Sequence, residues 1–280
     1  MAKQLEAWIT GVMSRLRAGE RLLSKVEASC QVCGGRAMSG KGLGTLCLCR
    51  DCTESIPWIL ASEVTCLRCG RYERCPDCEG TESGFFVQNR SVVRYNEKMK
   101  EWLAAYKYQR KESMRSVIGP MLLHAYNLHR VATHGTHSGS SNASGVGAFR
   151  TAATVPPLQE FVTFVPLSAE RYAERGFNQA EQMATELARL TGARLLPLLR
   201  RSRHTEKQSS KTRYERMENM KGLFNLDRSG AVLLARAAQS GRIRLYLVDD
   251  VYTTGSTMTE CARVIRQSLP VEVYGITWAR

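Results

Sequence analysis

Between Ile243 and Thr257 the chain reads Ile-Arg-Leu-Tyr-Leu-Val-Asp-Asp-Val-Tyr-Thr-Thr-Gly-Ser-Thr, and no other stretch restricts its possible folds as much. The apolar run Ile243–Val248 is short, partly β-branched or aromatic, and stops at two acids, which predicts a buried strand. Met258, Ala262, Val264, Ile265 and Leu269 then recur at helical spacing. A strand that feeds a small-residue loop opening a helix is suited to binding an anion. Backbone N–H groups and hydroxyls of Thr253, Thr254, Gly255, Ser256 and Thr257 can face the ligand, and the helix dipole adds to the attraction. The adjacent Asp249 and Asp250 would repel a bare phosphate. They suit a ligand that also carries hydroxyls or a hard cation, as a ribose 5-phosphate does. An ordinary strand-turn-helix with surface acids is the competing reading.

The rest of the C-terminal two thirds alternates strand and helix signals. Asn96 caps a helix with Met99, Trp102, Leu103 and Tyr106 on one face. A second helix runs from Ser113 to about Arg130, carried by Val117, Ile118, Met121, Leu122 and Leu128. Phe161–Val165 reads as a buried strand ended by Pro166, and a helix to about Leu190 presents Ala180, Met183, Leu187 and Leu190 inward. Strands at Leu195–Leu199 and Val271–Thr277 and a short helix at Ala231–Ala238 complete the pattern. Such alternation predicts an α/β domain, 89–280, built on an open, mostly parallel sheet flanked by helices, with ligand at the carboxyl ends of its strands. Residues 133–154, rich in Gly, Ser, Ala and Thr, read as a flexible insertion. The loop after the Phe161–Val165 strand contains Arg171, Arg175 and Gly176 and can approach a diphosphate closely.

Nine of the ten cysteines lie between residues 30 and 78. Four Cys-x-x-Cys pairs, at Cys30/Cys33, Cys49/Cys52, Cys66/Cys69 and Cys75/Cys78, have the spacing that brings two thiolates to one tetrahedral zinc. Fifteen residues separate the first two pairs and five the last two. Sequential pairing and a cross-brace both satisfy this spacing. Eight thiolates fill two tetrahedral shells and leave no position for water, so the zinc of the 30–88 module is structural. Cys47 is a spare thiol or a register ambiguity, and Cys261 a core residue of the last helix. Pro57-Trp58-Ile59-Leu60 is expected to pack between the two lobes.

The formal net charge of +14 points to a polyanionic partner, with nucleic acid first among them. Arg90–Arg115 and Arg200–Lys221 each carry eight basic and three acidic residues. A solvated charged face is the bland account of each. In the first window Lys107, Tyr108, Arg110 and Lys111 mix aromatic and basic side chains, a mixture that can stack bases and neutralise phosphates. No apolar run approaches the roughly 18–20 residues needed to span a bilayer, and no secretory signal is evident. Within the N-terminal segment, 1–29, Ala7–Val26 can form an amphipathic helix that packs on its own protein or touches a membrane surface.

Leu247–Thr257 closely resembles the phosphoribosyl pyrophosphate (PRPP) motif of type I phosphoribosyltransferases. Arg-Gly-Phe-Asn-Gln-Ala-Glu at Arg175–Glu181 and the order Gln-Ser…Arg…Arg…Asn-x-x-Gly-x-Phe from Gln208 to Phe224 resemble the ComF family of DNA-uptake (competence) proteins, in which a cysteine-rich N-terminal finger is common. The resemblance covers nearly the whole chain. It implies a type I phosphoribosyltransferase-like fold with an N-terminal zinc finger. Asp249 and Asp250 would take ribose hydroxyls, with or without Mg²⁺, and Thr253–Thr257 the 5-phosphate. Pro166, Leu167 and Ser168 would give backbone contacts to pyrophosphate, near Arg171 and Arg175. Gln208, Lys211 and Arg213 would lie on a mobile lid. The family further implies handling of incoming single-stranded DNA on the cytoplasmic side with a DNA-uptake helicase partner. No general base stands out, so transfer to an unknown acceptor and a zinc nucleic-acid adaptor on a non-catalytic scaffold stay open as alternatives.

Overall fold

The computed structural model describes residues 28–38, 46–78, 85–108, 114–134, 156–202 and 220–280, with no side chains over 131–134. The expectations for the N-terminal helix, Arg110, Lys111, Gln208, Lys211, Arg213 and nearly all of the 133–154 insertion fall outside them. The chain divides into two compact units after Ser55, so the two groups of cysteine pairs lie in different units.

The first unit is a pair of cysteine turns and a short helix, α1 (Arg50–Glu54), whose N-cap is Cys49. The second unit is α/β. In chain order it contains β1 (Gln88–Val93), α2 (Glu97–Tyr108), α3 (Arg115–His134), β2 (Leu158–Phe164), α4 (Ala169–Arg175), α5 (Gln179–Thr191), β3 (Arg194–Leu195), β4 (Leu199–Arg201), β5 (Phe224–Leu226), α6 (Arg228–Ser240), β6 (Arg242–Val251), α7 (Ser256–Ser268) and β7 (Glu272–Ala279). Five strands form one sheet in the order β1-β7-β6-β2-β3, with every pairing parallel. β4 and β5 pair antiparallel in a separate ribbon.

Period-2 alternation divides the sheet residues between its two faces. Phe161, Leu245, Leu247 and Val273 enter a core shared with Met258, Cys261, Ala262 and Ile265 of α7. Their neighbours Tyr246 and Tyr274 meet α3 instead: Tyr246 lies 5.1 Å from the Tyr126 ring, and Tyr274 lies 5.5 Å from His129. His129 is fully buried among these rings, which holds its imidazole down to about 3 and therefore neutral.

Four elements differ from expectation. The strand expected to stop before the acids runs through Val251, pairing Asp249 with Thr277 and Val251 with Ala279. The ladder to β7 supplies partners that the sequence pattern does not show. The expected Leu195–Leu199 strand is split: Leu195 stays in the main sheet, and Leu199 joins the β4–β5 ribbon. Pro197 between them has no N–H for a ladder. The expected loop containing Arg171 and Arg175 is a short helix, α4, which Gly176 at φ 80° ends before the expected helix, α5, begins. β1, which no alternation signals, is buried from Asn89 onward and forms a sheet edge. That edge is covered. Ile59 N donates to Val92 O at 3.0 Å, Arg94 N to Pro57 O at 2.9 Å and Asn89 N to Arg68 O at 2.7 Å. Pro57–Ile59 thus packs along β1, with the Trp58 ring edge-on to His124.

Candidate functional site

After β2 the chain moves outward to β3, and when it returns as β6 it lies on the other side of β2. The carboxyl ends of β2 and β6 at this reversal are the usual ligand position in an open parallel sheet. Val165 N still donates to Val248 O at 3.0 Å there, so the two strand ends are held together.

On the β6 side are Asp249 and Asp250. Asp250 N donates to Asp249 Oδ1 at 2.8 Å. Burial, reinforced by the neighbouring Asp250 charge, pushes the Asp249 carboxyl up to about 7, against the opposing pull of Lys107 and Arg201. Lys107, from the last turn of α2, forms an ion pair with Asp250. Arg201, at the end of β4, is held below its ordinary value by burial and the Arg171 guanidinium, with Cys261 and Asp249 acting the other way. The acidic pair is therefore flanked by two basic side chains from two other elements, with Arg171 of α4 near the second of them.

Beyond the acids, Tyr252–Gly255 leads into α7. Gly255 sits at φ 77°, and a Cβ there would collide with the Tyr252 hydroxyl oxygen. Only glycine meets both demands. Thr254 Oγ1 and Ser256 Oγ lie 2.8 Å apart, Thr254 Oγ1 also accepts from Ser256 N at 3.5 Å, and the N-cap residue, Gly255, has no side chain to cap the other first-turn N–H groups of α7. Hydroxyls and first-turn N–H groups thus converge at the positive end of a helix of 13 residues. Thr253 is exposed and Thr257 half-buried.

On the β2 side, Val165-Pro166-Leu167 runs to Ser168, the N-cap of α4, whose Oγ accepts from Arg171 N at 3.4 Å. The Arg175–Glu181 segment builds the α4–α5 corner. Asn178 caps α5 through Ala180 N at 3.0 Å, and its Nδ2 donates to Val165 O at 3.1 Å. Phe177 lies 5.6 Å from the Tyr106 ring. Arg175 is turned into this corner: it is buried and donates to Gln179 Oε1 at 2.9 Å and Tyr108 Oη at 3.2 Å. Tyr108 stays half exposed with the Arg175 guanidinium 5.1 Å over its ring.

The structure thus brings Asp249, Asp250, Thr253–Thr257 and Arg171 to one end of the sheet. It places Lys107 at Asp250 and leaves Tyr108 on the surface. Two participants escaped sequence reasoning. Arg201 comes from a two-stranded ribbon that no pattern announces. Glu260, on α7, accepts from Gly222 N at 2.9 Å and from Arg263 Nη2 at 2.6 Å. It therefore ties down the Asn-x-x-Gly-x-Phe end of the second basic window. Gly222 there adopts φ 69°.

The cysteines form two sets of four, Cys30/Cys33/Cys49/Cys52 and Cys66/Cys69/Cys75/Cys78, with all Sγ atoms of a set within 4.8 Å of one another. This is sequential pairing. Cys33 and Cys49 Sγ are 3.6 Å apart, and Cys69 and Cys75 Sγ 3.4 Å. Four sulfurs at about 2.3 Å from one zinc stand about 3.8 Å apart, whereas disulfide sulfurs stand about 2.05 Å apart. Each set is therefore a four-cysteine site that fits zinc. Each opens with the same turn. Gly34 N donates to Cys30 O and Gly70 N to Cys66 O, both at 2.9 Å, with Gly34 at φ 80° and Gly70 at φ 74°. In each, burial opposes ionisation of the first thiol, but N–H donors outweigh it, bringing Cys30 down to about 6 and Cys66 to about 7. Cys47 stands outside both sets, and Cys261 is fully buried.

No protein-family model matches the chain. It is 27% identical to the competence protein ComFC of Streptococcus pneumoniae, over 79% of this chain and 82% of that protein. It is 29% identical to the competence protein ComFC of Bacillus subtilis, over 78% and 77% of the two chains. Competence protein F of Haemophilus influenzae is 34% identical over 44% of this chain and 52% of its own length.

Proposed function

The chain belongs to the ComF family of competence proteins, and from that premise we propose that it binds PRPP or a related ribose phosphate with Mg²⁺ and handles single-stranded DNA during uptake. The observation that carries the ligand half is the convergence, at the reversal point of a parallel sheet, of Asp249 and Asp250 with the start of α7. Asp249 and Asp250 offer hard oxygens for ribose hydroxyls or for the Mg²⁺ that accompanies a diphosphate. Thr253, Thr254, Gly255, Ser256 and Thr257 receive the 5-phosphate. Arg171, Arg201 and Lys107 supply positive charge where the pyrophosphate lies, and Gln208, Lys211 and Arg213 close over it. Calorimetry with PRPP and Mg²⁺ tests this: the wild type binds, and Asp249→Ala/Asp250→Ala loses at least about 100-fold in affinity, roughly two charge-assisted hydrogen bonds. No heat from either protein overturns the ligand reading.

The DNA half is supported by the exposed Tyr108 ring backed by Arg175, within a chain of net charge +14. Arg110 and Lys111 continue the same basic segment. Tyr108→Ala should weaken single-stranded DNA binding by about 1–3 kcal/mol, the usual value of one stacked base. Binding should also weaken steeply with salt. The role belongs to the cytoplasmic side, beside a helicase-type partner of the uptake machinery. No helix among the described residues is long and apolar enough to cross a membrane.

A second reading, transfer of phosphoribose to an acceptor, is favoured by Lys107 and Arg201 beside the acidic pair, since a departing pyrophosphate needs such charge. Pyrophosphate released only when an acceptor is added distinguishes transfer from binding.

A further inference from the structure

The two cysteine sets share a turn but not a setting. A Cβ on Gly34 would meet nothing within 4 Å, whereas one on Gly70 would lie 2.6 Å from Asn89 O. The second turn is docked along its whole length. Leu67 O accepts from Arg90 Nη1 at 2.8 Å, and Arg68 O from Asn89 N at 2.7 Å. Cys69 O accepts twice, from Asn89 Nδ2 at 3.3 Å and Arg280 Nη1 at 2.9 Å.

Arg280 connects this turn to the ribose-phosphate site. Its guanidinium carbon lies 4.4 Å from the centroid of the Tyr252 ring, with the Phe86 ring edge-on to Tyr252 at 6.3 Å. Tyr252 N donates to Ala279 O at 2.9 Å, which fixes the backbone as well as the ring. Tyr252 opens the anion loop, and its hydroxyl stands where a Gly255 Cβ would be. Cys69, Cys75, Phe86, Tyr252 and Met258, the last from the first turn of α7, belong to one buried cluster. A cation over a buried ring holds its orientation well. In a close-packed interior, a shift at the cysteine turn is transmitted to what touches it.

We infer that the second cysteine set is a positioning element for the anion loop, acting through Arg280 and Tyr252. Four thiols closed on one metal hold the Cys66–Gly70 turn. That turn orients Arg280, Arg280 and Phe86 orient the Tyr252 ring, and the ring sets Gly255 and the start of α7. None of the contacts just described involves a residue of the first cysteine set. The inference takes from the ribose-phosphate reading only the identity of what the loop binds, and the mechanical coupling stands without it.

Hydrogen exchange, read by mass spectrometry on the zinc-loaded full chain, tests the coupling directly. Cys78→Ser should raise exchange at the hydrogen-bonded amides on either side of the loop, Tyr252 and the first protected turn of α7 from Thr259, by at least about tenfold, whereas Cys33→Ser leaves them within about twofold. Arg280→Met keeps both zinc ions, by metal analysis, and should reproduce the increase; it also carries the test if Cys78→Ser fails to fold. PRPP affinity in the presence of Mg²⁺ should fall with Arg280→Met in step with the exchange. Unchanged exchange in Arg280→Met, or equal responses to Cys78→Ser and Cys33→Ser, overturns the inference. A wild type that ignores PRPP removes the ribose-phosphate reading, while the exchange comparison still decides the coupling.

Discussion

The ammonium of Lys107 pairs with the carboxylate of Asp250, tying the last turn of α2 to the end of β6. Both side chains are about four-fifths covered, so solvent screens this pair less than an exposed one. Lys107→Ala leaves two adjacent half-buried acids with less compensation. It should lower stability by about 1–3 kcal/mol, as loss of one partner of a covered charged pair does. Asp250→Asn in the same chain should recover most of that loss. A double-mutant cycle by thermal melting checks the coupling, and strictly additive losses contradict it.

The site's response to pH follows from Asp249. Its carboxyl is raised in the folded chain from 3.8 to about 7, chiefly by burial. A raised folded value means that the stability linked to this proton is complete below about pH 4 and is lost as pH rises toward 7. Asp249→Asn should therefore stabilise the ligand-free protein at pH 8 relative to wild type, with little gain at pH 4. A tenfold change in proton affinity on folding is worth about 1.4 kcal/mol, or roughly 2–4 °C in Tm for a chain of this size. Ligand binding through Mg²⁺ runs the opposite way and strengthens from pH 6 to 8, as calorimetry across that range would record.

Gly255→Ala tests the loop geometry. The residue must keep φ near 77° and hold a methyl against the Tyr252 hydroxyl. Left-handed backbone alone costs about 1–2 kcal/mol for a non-glycine residue. Tm should fall by several degrees, and ribose-phosphate affinity should fall further than Tm implies. Adding Tyr252→Phe removes the hydroxyl oxygen but leaves Cζ 2.5 Å from the added methyl, so it should restore little of either.

Thiol counting tests the metal assignment. Two four-cysteine sites leave Cys47 and Cys261 outside. With zinc bound, a thiol reagent should modify the half-buried Cys47 and spare Cys261, which has no exposure. Denaturation with chelator should expose all ten thiols and release two zinc ions. Fewer than two ions, or rapid modification of several thiols in the native protein, contradicts the assignment.

The sheet, the strand-loop-helix at Asp249–Ser256 and both cysteine sets were legible because each rests on local spacing: an apolar run ending at Asp249, glycine at 255, and two residues between paired thiols. What stayed hidden depends on partners distant in the chain. Nothing near β1 says that it lies beside β7, since its buried Asn89, Arg90 and Ser91 do not alternate with apolar residues. Arg175 reads as a diphosphate contact by its place in a loop motif, yet Gln179 and Tyr108 draw it into a helix corner. Lys107 reads as part of a nucleic-acid segment, and only the packing of α2 brings it to Asp250. Pro197 did mark the break between β3 and β4, a signal present in the sequence and outweighed by the apolar run around it.

The cover over β1 has a consequence beyond the ligand site. An edge strand offers unpaired backbone groups to any passing chain, and parallel sheets with hydrophobic edges are prone to add strands from other molecules. Here Ile59 and the turn at Arg68 occupy that edge. Loosening of the Arg68 turn on metal removal should therefore uncover part of β1, and light scattering during chelation should rise before the interior melts.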